Sequence, residues 1–502
     1  MNIDHFFKNW GIDQNPFRAE EARDDELYQR IMGDEMTHPE FEKIMGTFER
    51  PGTAVVFGEK GSGKTAIRLL IEERIRRHNA ANPERMAWVI AYDDLNPFLD
   101  HLSRHASQTR HGKPAEFPGI RLADHQDNLL VIATTKLVDL LNGDDETDVS
   151  ARRARKSVRR MSRQKRVDLA ELALLYDLPS RSSQETRWHG LRRLLRVGSV
   201  FNQAVCFWMG VVGTGLAAAS LAVHALMKKE PAALISTIFF GLLAIYAGFR
   251  WITQAVRTRS LSRKVAREIR VVPRPAAMIA RRLGELAASD LATQPVPVPG
   301  DQDSRYDLMT RLIRILEECG YASVYVLMDR ADEPARVNGD ARRMREIVWP
   351  MLNNKFLQQE RMGFKLLLPI ELGYLVKKEE PAFFQQARLD KQNMVERLEW
   401  TGPTLYDICT KRLLSAAGAE AKVKKLTDLF EPDVTPGDLI DALDQMHQPR
   451  DAFKFLYQVF LEHCKNTPDD LARFTVPKLV LEQIRKQQSQ RVKELYRGLT
   501  PA

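Results

Sequence analysis

The sequence predicts a three-layer α/β fold with a mostly parallel sheet, split by a two-helix membrane hairpin and followed by a helical C-terminal domain. Three observations predict it. Thr53 to Phe57 is a short apolar run that passes through a glycine-rich turn into a helical stretch, Ala66 to Arg77, with Ile67, Leu70, Ile71 and Ile75 on one face. Two further apolar runs, Met86 to Tyr92 and Ala322 to Met328, end at acidic residues, Asp93-Asp94 and Asp329 respectively. Between those runs, Ala204 to Met227 holds 24 residues without Asp, Glu, Lys or Arg, and Ala232 to Phe249 is a second apolar stretch.

A chain of 502 residues is too long for one compact core. Residues 1–50 read as an N-terminal cap with a turn flanked by aromatics, Trp10 to Phe17, placed to pack near a bound base or simply to cover the sheet. Residues 51–145 carry the first half of the α/β domain and 146–196 a basic, helical region. The hairpin occupies 197–252, with spans at 204–227 and 232–249. A juxtamembrane helix and the extended linker around Pro295 to Pro299 fill 253–303. The second half of the α/β domain, with a further strand at Phe364 to Ile370, runs through 304–400, and 401–502 is helical.

At 1.5 Å per residue the first apolar run reaches about 36 Å and the second about 27 Å, enough for a hydrocarbon core of about 30 Å. Only Lys228 to Pro231 connect them, so the two helices must be antiparallel neighbours. Gly210, Gly213, Gly215, Gly241, Ala244 and Gly248 give both helices small faces suited to close packing or to oligomer contact. Arg187, Arg192, Arg193 and Arg196 precede the hairpin, and Arg250, Arg257, Arg259, Arg263 and Lys264 follow it. The positive-inside rule then puts both flanks, and both termini, on the cytoplasmic side of the membrane.

The net charge of +9 is local. Arg152 to Arg166 contains nine basic residues and no acid, and the rest of the chain balances at 66 against 66. This segment, 152–166, suits anionic lipid or nucleic acid, or is a solvated helix face. Cys206, Cys319, Cys409 and Cys464 are widely spaced and read as reduced thiols. The first ten residues lack a basic region followed by an apolar core, so no signal peptide is expected.

The glycine-rich turn carries the chemistry. Gly58, Glu59, Lys60, Gly61, Ser62, Gly63, Lys64 and Thr65 fit G-x-x-x-x-G-K-[ST] at every fixed position. Glycines let backbone N–H groups close on a phosphate, Lys64 supplies a point charge, and the Thr65 hydroxyl suits Mg²⁺. The following helix adds its N-terminal dipole. A second metal ligand must come from a strand-end carboxylate. Asp329 is preferred over Asp94, because Asp332 and Glu333 follow it and another strand comes after.

A P-loop at one end, a late strand ending D-x-x-D-E, and a transmembrane hairpin between them resemble the KAP family of P-loop NTPases, a branch related to the STAND class. The resemblance covers about half of the chain. It implies a nucleotide domain that takes ATP and Mg²⁺, with Lys64 and Thr65 on the phosphates and metal and Asp329 on the metal. Gln448-Pro449-Arg450-Asp451 looks like the P-R-D turn of such proteins, which implies that Arg450 senses the γ-phosphate. Arg330 stands where many relatives have an acid, which leaves the catalytic base open between Glu333 and Asp332. The strand ending Pro369-Ile-Glu371 lacks an Asn, Thr or Arg sensor.

The expected protein is therefore a membrane-anchored ATPase facing the cytoplasm, a nucleotide-dependent switch or assembly protein that forms homo-oligomers. Relatives with roles in signalling and bacterial defence set the context. A nucleic-acid-stimulated ATPase tethered to the membrane, and a component of a pore or transporter, are the alternatives.

Overall fold

The computed structural model describes residues 1–18, 27, 38–109, 117–143, 149–179, 183–197, 203–226, 231–286, 295–298, 303–419 and 421–496. The hairpin turn at 227–230 and the linker residues 299–302 lie outside this set. The chain divides into two compact units, one of Met1–Asn82, Ala91–Asp94 and Ser323–Ala502 and one of Pro83–Ile90 and Leu95–Ala322.

The first unit is built on strands β1 (Ala54–Gly58), β3 (Tyr321–Met328), β4 (Met362–Pro369) and β5 (Asn393–Val395), in a five-stranded sheet of order β2-β3-β4-β1-β5 with β2 at Met86–Tyr92. The pairs β1/β4, β1/β5 and β3/β4 are parallel. Both β1 and β4 are buried along their whole length, which is why they read as continuous apolar runs. Lys365 breaks that run: it is fully buried in β4, donates to Gly52 O at 2.7 Å and to Pro51 O, and burial pushes its pKa down to about 7. It thereby ties the chain ahead of β1 to β4 and fixes their register, which pairs Gly58 with Pro369. Helix α1 (Lys64–Ala81) leaves the end of β1 through the glycine-rich loop.

The second unit is helical and contains the hairpin. In chain order it comprises α2 (Leu122–Asn142), α3 (Val149–Arg160), α4 (Arg163–Tyr176), α5 (Gln184–Leu195), α6 (Gln203–Leu226), α7 (Pro231–Glu268), α8 (Ala276–Gly284) and α9 (Ser304–Glu318). Two of these, α6 and α7, are long and apolar enough to cross a membrane, and only 11% and 6% of their most apolar windows are covered by protein. Their large side chains, such as Trp208, Ile245 and Phe249, face outward.

The second span does not stop at Phe249. Nothing from Arg250 to Glu268 breaks a helix, so α7 continues for 38 residues, through the segment expected to form a separate juxtamembrane helix. Ser220 donates to Ala233 O at 2.9 Å, and a methyl group on Gly213 would lie 3.3 Å from Ala244 Cβ, so α6 and α7 pack antiparallel. Gly215, Gly241 and Gly248 would each have open space around an added Cβ, so close packing within the hairpin explains Gly210 and Gly213 but not these three.

Buried ion pairs hold the helical unit. Arg305 donates to both oxygens of Asp127, at 2.9 and 3.0 Å, and the Tyr176 hydroxyl donates to Asp127 at 2.9 Å. Arg305 also reaches Glu268, the last residue of α7, at 3.3 Å. Glu171 is the exception. Its side chain is buried, neither oxygen has a hydrogen-bond partner among the described residues, and burial pushes its pKa up to about 8.

The first unit also contains the helical C-terminal region, with α10 (Gly402–Ser415), α11 (Pro436–Asp444), α12 (Pro449–Lys465) and α13 (Lys478–Tyr496). Phe6, Phe7, Ile12 and Phe17 are part of its core, beside Leu405, Phe455 and Phe460. Residues 6–17 thus belong to this helical core, while the short helix Phe41–Met45 packs on β1.

Two measurements test these packings. Gly213→Leu is expected to destabilise the hairpin by about 1–3 kcal/mol through overpacking, read by thermal unfolding in detergent, while Gly215→Leu leaves it unchanged. Glu171 binds its proton more tightly folded than unfolded, so its contribution to stability is lost as pH rises from the ordinary glutamate range to about 8. The melting-temperature advantage of Glu171→Gln over wild type should therefore widen from pH 5 to pH 8 and then level off.

Candidate functional site

The site is built where β1, β3 and β4 end. Gly61 and Gly63 sit at φ +94° and +91°, in the left-handed region that favours glycine. Space also demands glycine: a methyl group on Gly58 would lie 2.4 Å from Ser62 Oγ, and one on Gly61 would lie 3.0 Å from Arg450 and Gln448. Ser62 is buried, and its hydroxyl has no partner among the described residues. Gly63 caps α1 without a side-chain hydrogen bond, and the first turn of α1 contains no acid. An orphaned buried hydroxyl, a cradle closed to any Cβ and an acid-free helix N-terminus fit an anion such as a phosphate.

Lys64 lies across this loop, its Nζ donating to Gly58 O and Glu59 O at 2.8 Å each. Part of its side chain is exposed, but the ammonium is enclosed. Burial holds its pKa below the ordinary lysine value against the opposing pull of Asp329, Asp332, Glu371 and Glu59. Lys60 is exposed at the tip of the loop. Glu59 is held from two sides, by Arg397 at 2.6 Å and by the Gln448 amide. Trp400 donates its indole N–H to Ser62 O at 2.7 Å, and His38 packs edge-on against that ring.

Thr65 donates its hydroxyl to Asp329 Oδ2 at 2.7 Å, across 264 residues of sequence. Asp329 is buried, and its other oxygen accepts the Arg330 N–H at 2.9 Å. Arg330 adopts φ +59°, a conformation that costs a non-glycine residue about 1 kcal/mol. Its guanidinium pairs with Glu333 at 3.2 Å, and Glu333 is exposed. Asp332 is half-buried and acts on Lys64, as does Glu371 at the end of β4. Of the two proposed bases, then, Asp332 is half-buried and its charge is felt at the loop lysine, and Glu333 is exposed and paired with Arg330.

Arg68 was not anticipated. One turn into α1, it is 4% exposed and reaches Glu72 at 2.7 Å, Asp93 at 3.3 Å and Asp329 at 3.7 Å. Asp93 thus joins the cluster through Arg68, while Asp94 is exposed. A buried Arg at position 68 shares a helix face with Ile71 and Ile75, and that spacing was the only signal available in the sequence. Gln448 stands out in the sequence only as part of the P-R-D turn, and nothing local points to its contact with Glu59.

Among the described residues no group of three or more His, Cys, Asp or Glu side chains is placed to hold a metal. The Thr65 hydroxyl and the Asp329 carboxylate do lie together, and they are oxygen donors of the kind that hard cations take. A cavity of about 420 Å³ lies at the opposite ends of β1 and β4, beside Arg50, Gln359 and Lys391.

Removing Arg68 leaves Asp329 buried beside Asp93 without its cation. Arg68→Leu is expected to lose about 3–5 kcal/mol of stability, measured by chemical unfolding, and Arg68→Lys to recover part of it.

Compared with family models, curated proteins and solved structures, the chain matches none of them.

Proposed function

We propose that the chain is a membrane-anchored P-loop ATPase that acts as a nucleotide-dependent switch. The observation that carries this reading is the 2.7 Å hydrogen bond between Thr65 and Asp329. It joins a phosphate-loop hydroxyl to a strand-end carboxylate, the pair that a Mg²⁺-nucleotide site requires. Bound MgATP would supply the γ-phosphoryl group and the metal charge. The loop N–H groups and the α1 N-terminus would hold phosphate oxygens, Lys64 would move from the loop carbonyls onto them, and Thr65 and Asp329 would ligate Mg²⁺. Asp332 or Glu371 would orient the attacking water, since they follow the ends of β3 and β4, the strands beside the loop. Arg450, packed on Gly61, would carry the phosphate state to the helical C-terminal region.

The basic flanks of α6 and α7 support a cytoplasmic nucleotide site with both termini on that side. Glu59, clasped by Arg397 and Gln448, supports a switch more than a fast motor: it ties the loop to the C-terminal region, so a change at the phosphates works against that clasp.

ATP hydrolysis by the detergent-purified chain tests the proposal. Lys64→Ala and Asp329→Asn should each lower turnover by about 100-fold or more, and Asp94→Asn should not. Asp332→Asn or Glu371→Gln should lower turnover, and Glu333→Gln should leave it near wild type. A wild-type rate for Asp329→Asn would sink the metal assignment.

A further inference from the structure

The basic segment 152–166 is not one uniform patch. Arg155 donates to the Leu141 and Gly143 carbonyls, Arg153 to Pro83 O, Lys165 pairs with Glu318, and Arg166 donates to Leu195 O. These four hold the unit together. Ala151, Ala154, Val158 and Met161 are buried, and Arg152, Lys156, Arg159, Arg160 and Arg163 are exposed on the opposite side of α3 and its corner with α4. We propose that these five side chains form a docking surface for the anionic phospholipid headgroups of the membrane that α6 and α7 cross, an inference that rests on the membrane reading of those helices.

The position of the surface within its unit favours lipid. Helix α8 folds back along α7, and so points toward the apolar spans. Glu185 meets Arg281 at 3.1 Å and Arg192 meets Glu285 at 2.7 Å, so α5 runs parallel to α8 and in the same direction. It ends at Leu195, shortly before α6 begins at Gln203. Arg166 bonds to that last carbonyl at 3.0 Å, which fixes the corner of α3 and α4 at the end of the unit where the chain leaves for the membrane. Further along the other span, Gln254, Ala255 and Thr258 are already buried, so protein closes on α7 within two turns of Phe249. Guanidinium groups make paired hydrogen bonds to phosphate oxygens, and attraction to an anionic leaflet acts within a Debye length of about 8 Å. The segment contains no aromatic side chain on which a nucleic acid base would stack.

The exposed Lys156 is a built-in probe. The full-length chain is reconstituted in nanodiscs of phosphatidylcholine alone or mixed with phosphatidylglycerol, and acetylation of Lys156 is followed by mass spectrometry, with Lys165 as internal reference. Acetylation should be about fivefold slower in the anionic discs, and raised salt should abolish the difference. The variant R152Q/K156Q/R159Q/R160Q/R163Q should enter the discs normally but retain less phosphatidylglycerol when extracted in mild detergent. Equal rates at Lys156 in both discs overturn the inference and leave the membrane reading intact. Protection of Lys156 by duplex DNA or RNA in neutral discs, without protection by anionic lipid, overturns it in favour of nucleic acid. Failure of the wild-type chain to enter discs at all removes the membrane reading and this inference together.

Discussion

The candidate site depends on the parallel register of three strands. Gly58 at the end of β1 stands opposite Pro369 of β4, and Met328 of β3 stands opposite Leu366 of the same strand. With β4 between them, the loop after β1 and the carboxylate after β3 come within hydrogen-bond reach although they are far apart in sequence. A slip of one residue would turn the alternate side chains over and leave Asp329 facing away from Thr65. Lys365 and Gly363 oppose such a slip, because Lys365 binds the carbonyls ahead of β1 and a methyl on Gly363 would strike Gly52 O at 2.5 Å. A buried lysine in the central strand, costly by itself, thus holds the geometry at the other end of the sheet.

Much of this was legible in the sequence, for identifiable reasons. The glycine-rich loop, Lys64 and Thr65 are a local pattern whose conformation follows from glycine and helix geometry. Asp329 was legible because buried parallel strands announce themselves as apolar runs and end where a carboxylate appears. The hairpin was legible from hydropathy alone. What escaped depends on partners distant in sequence. Arg68 looked like any basic residue on an amphipathic helix until Asp93 and Asp329 arrived from two other strands. Gln448 reaches Glu59 across 389 residues. The three-residue strand β5 is too short to show a period. Among the nine basic residues of 152–166, no local pattern separates those that cap carbonyls inside the unit from those that face out.

The two units stabilise charge differently. In the first, Asp329 is met by one hydroxyl, one backbone N–H and a guanidinium that it shares with Asp93 and Glu72. In the second, Asp127 is saturated by Arg305 and Tyr176, a closed network in which nothing is left for a ligand. Buried polar clusters of similar composition thus differ in chemical potential. The second serves as a fixed joint.

That joint sits at the end of α7. The helix continues about 28 Å beyond Phe249 without a break, and its last residue, Glu268, is gripped by Arg305 and Arg121. An unbroken helix has no hinge to absorb a change of tilt, so a tilt of about 10° at Phe249 displaces that gripped end by about 5 Å. Any change of tilt imposed on the apolar half of α7 is therefore delivered to the helical unit as through a lever arm.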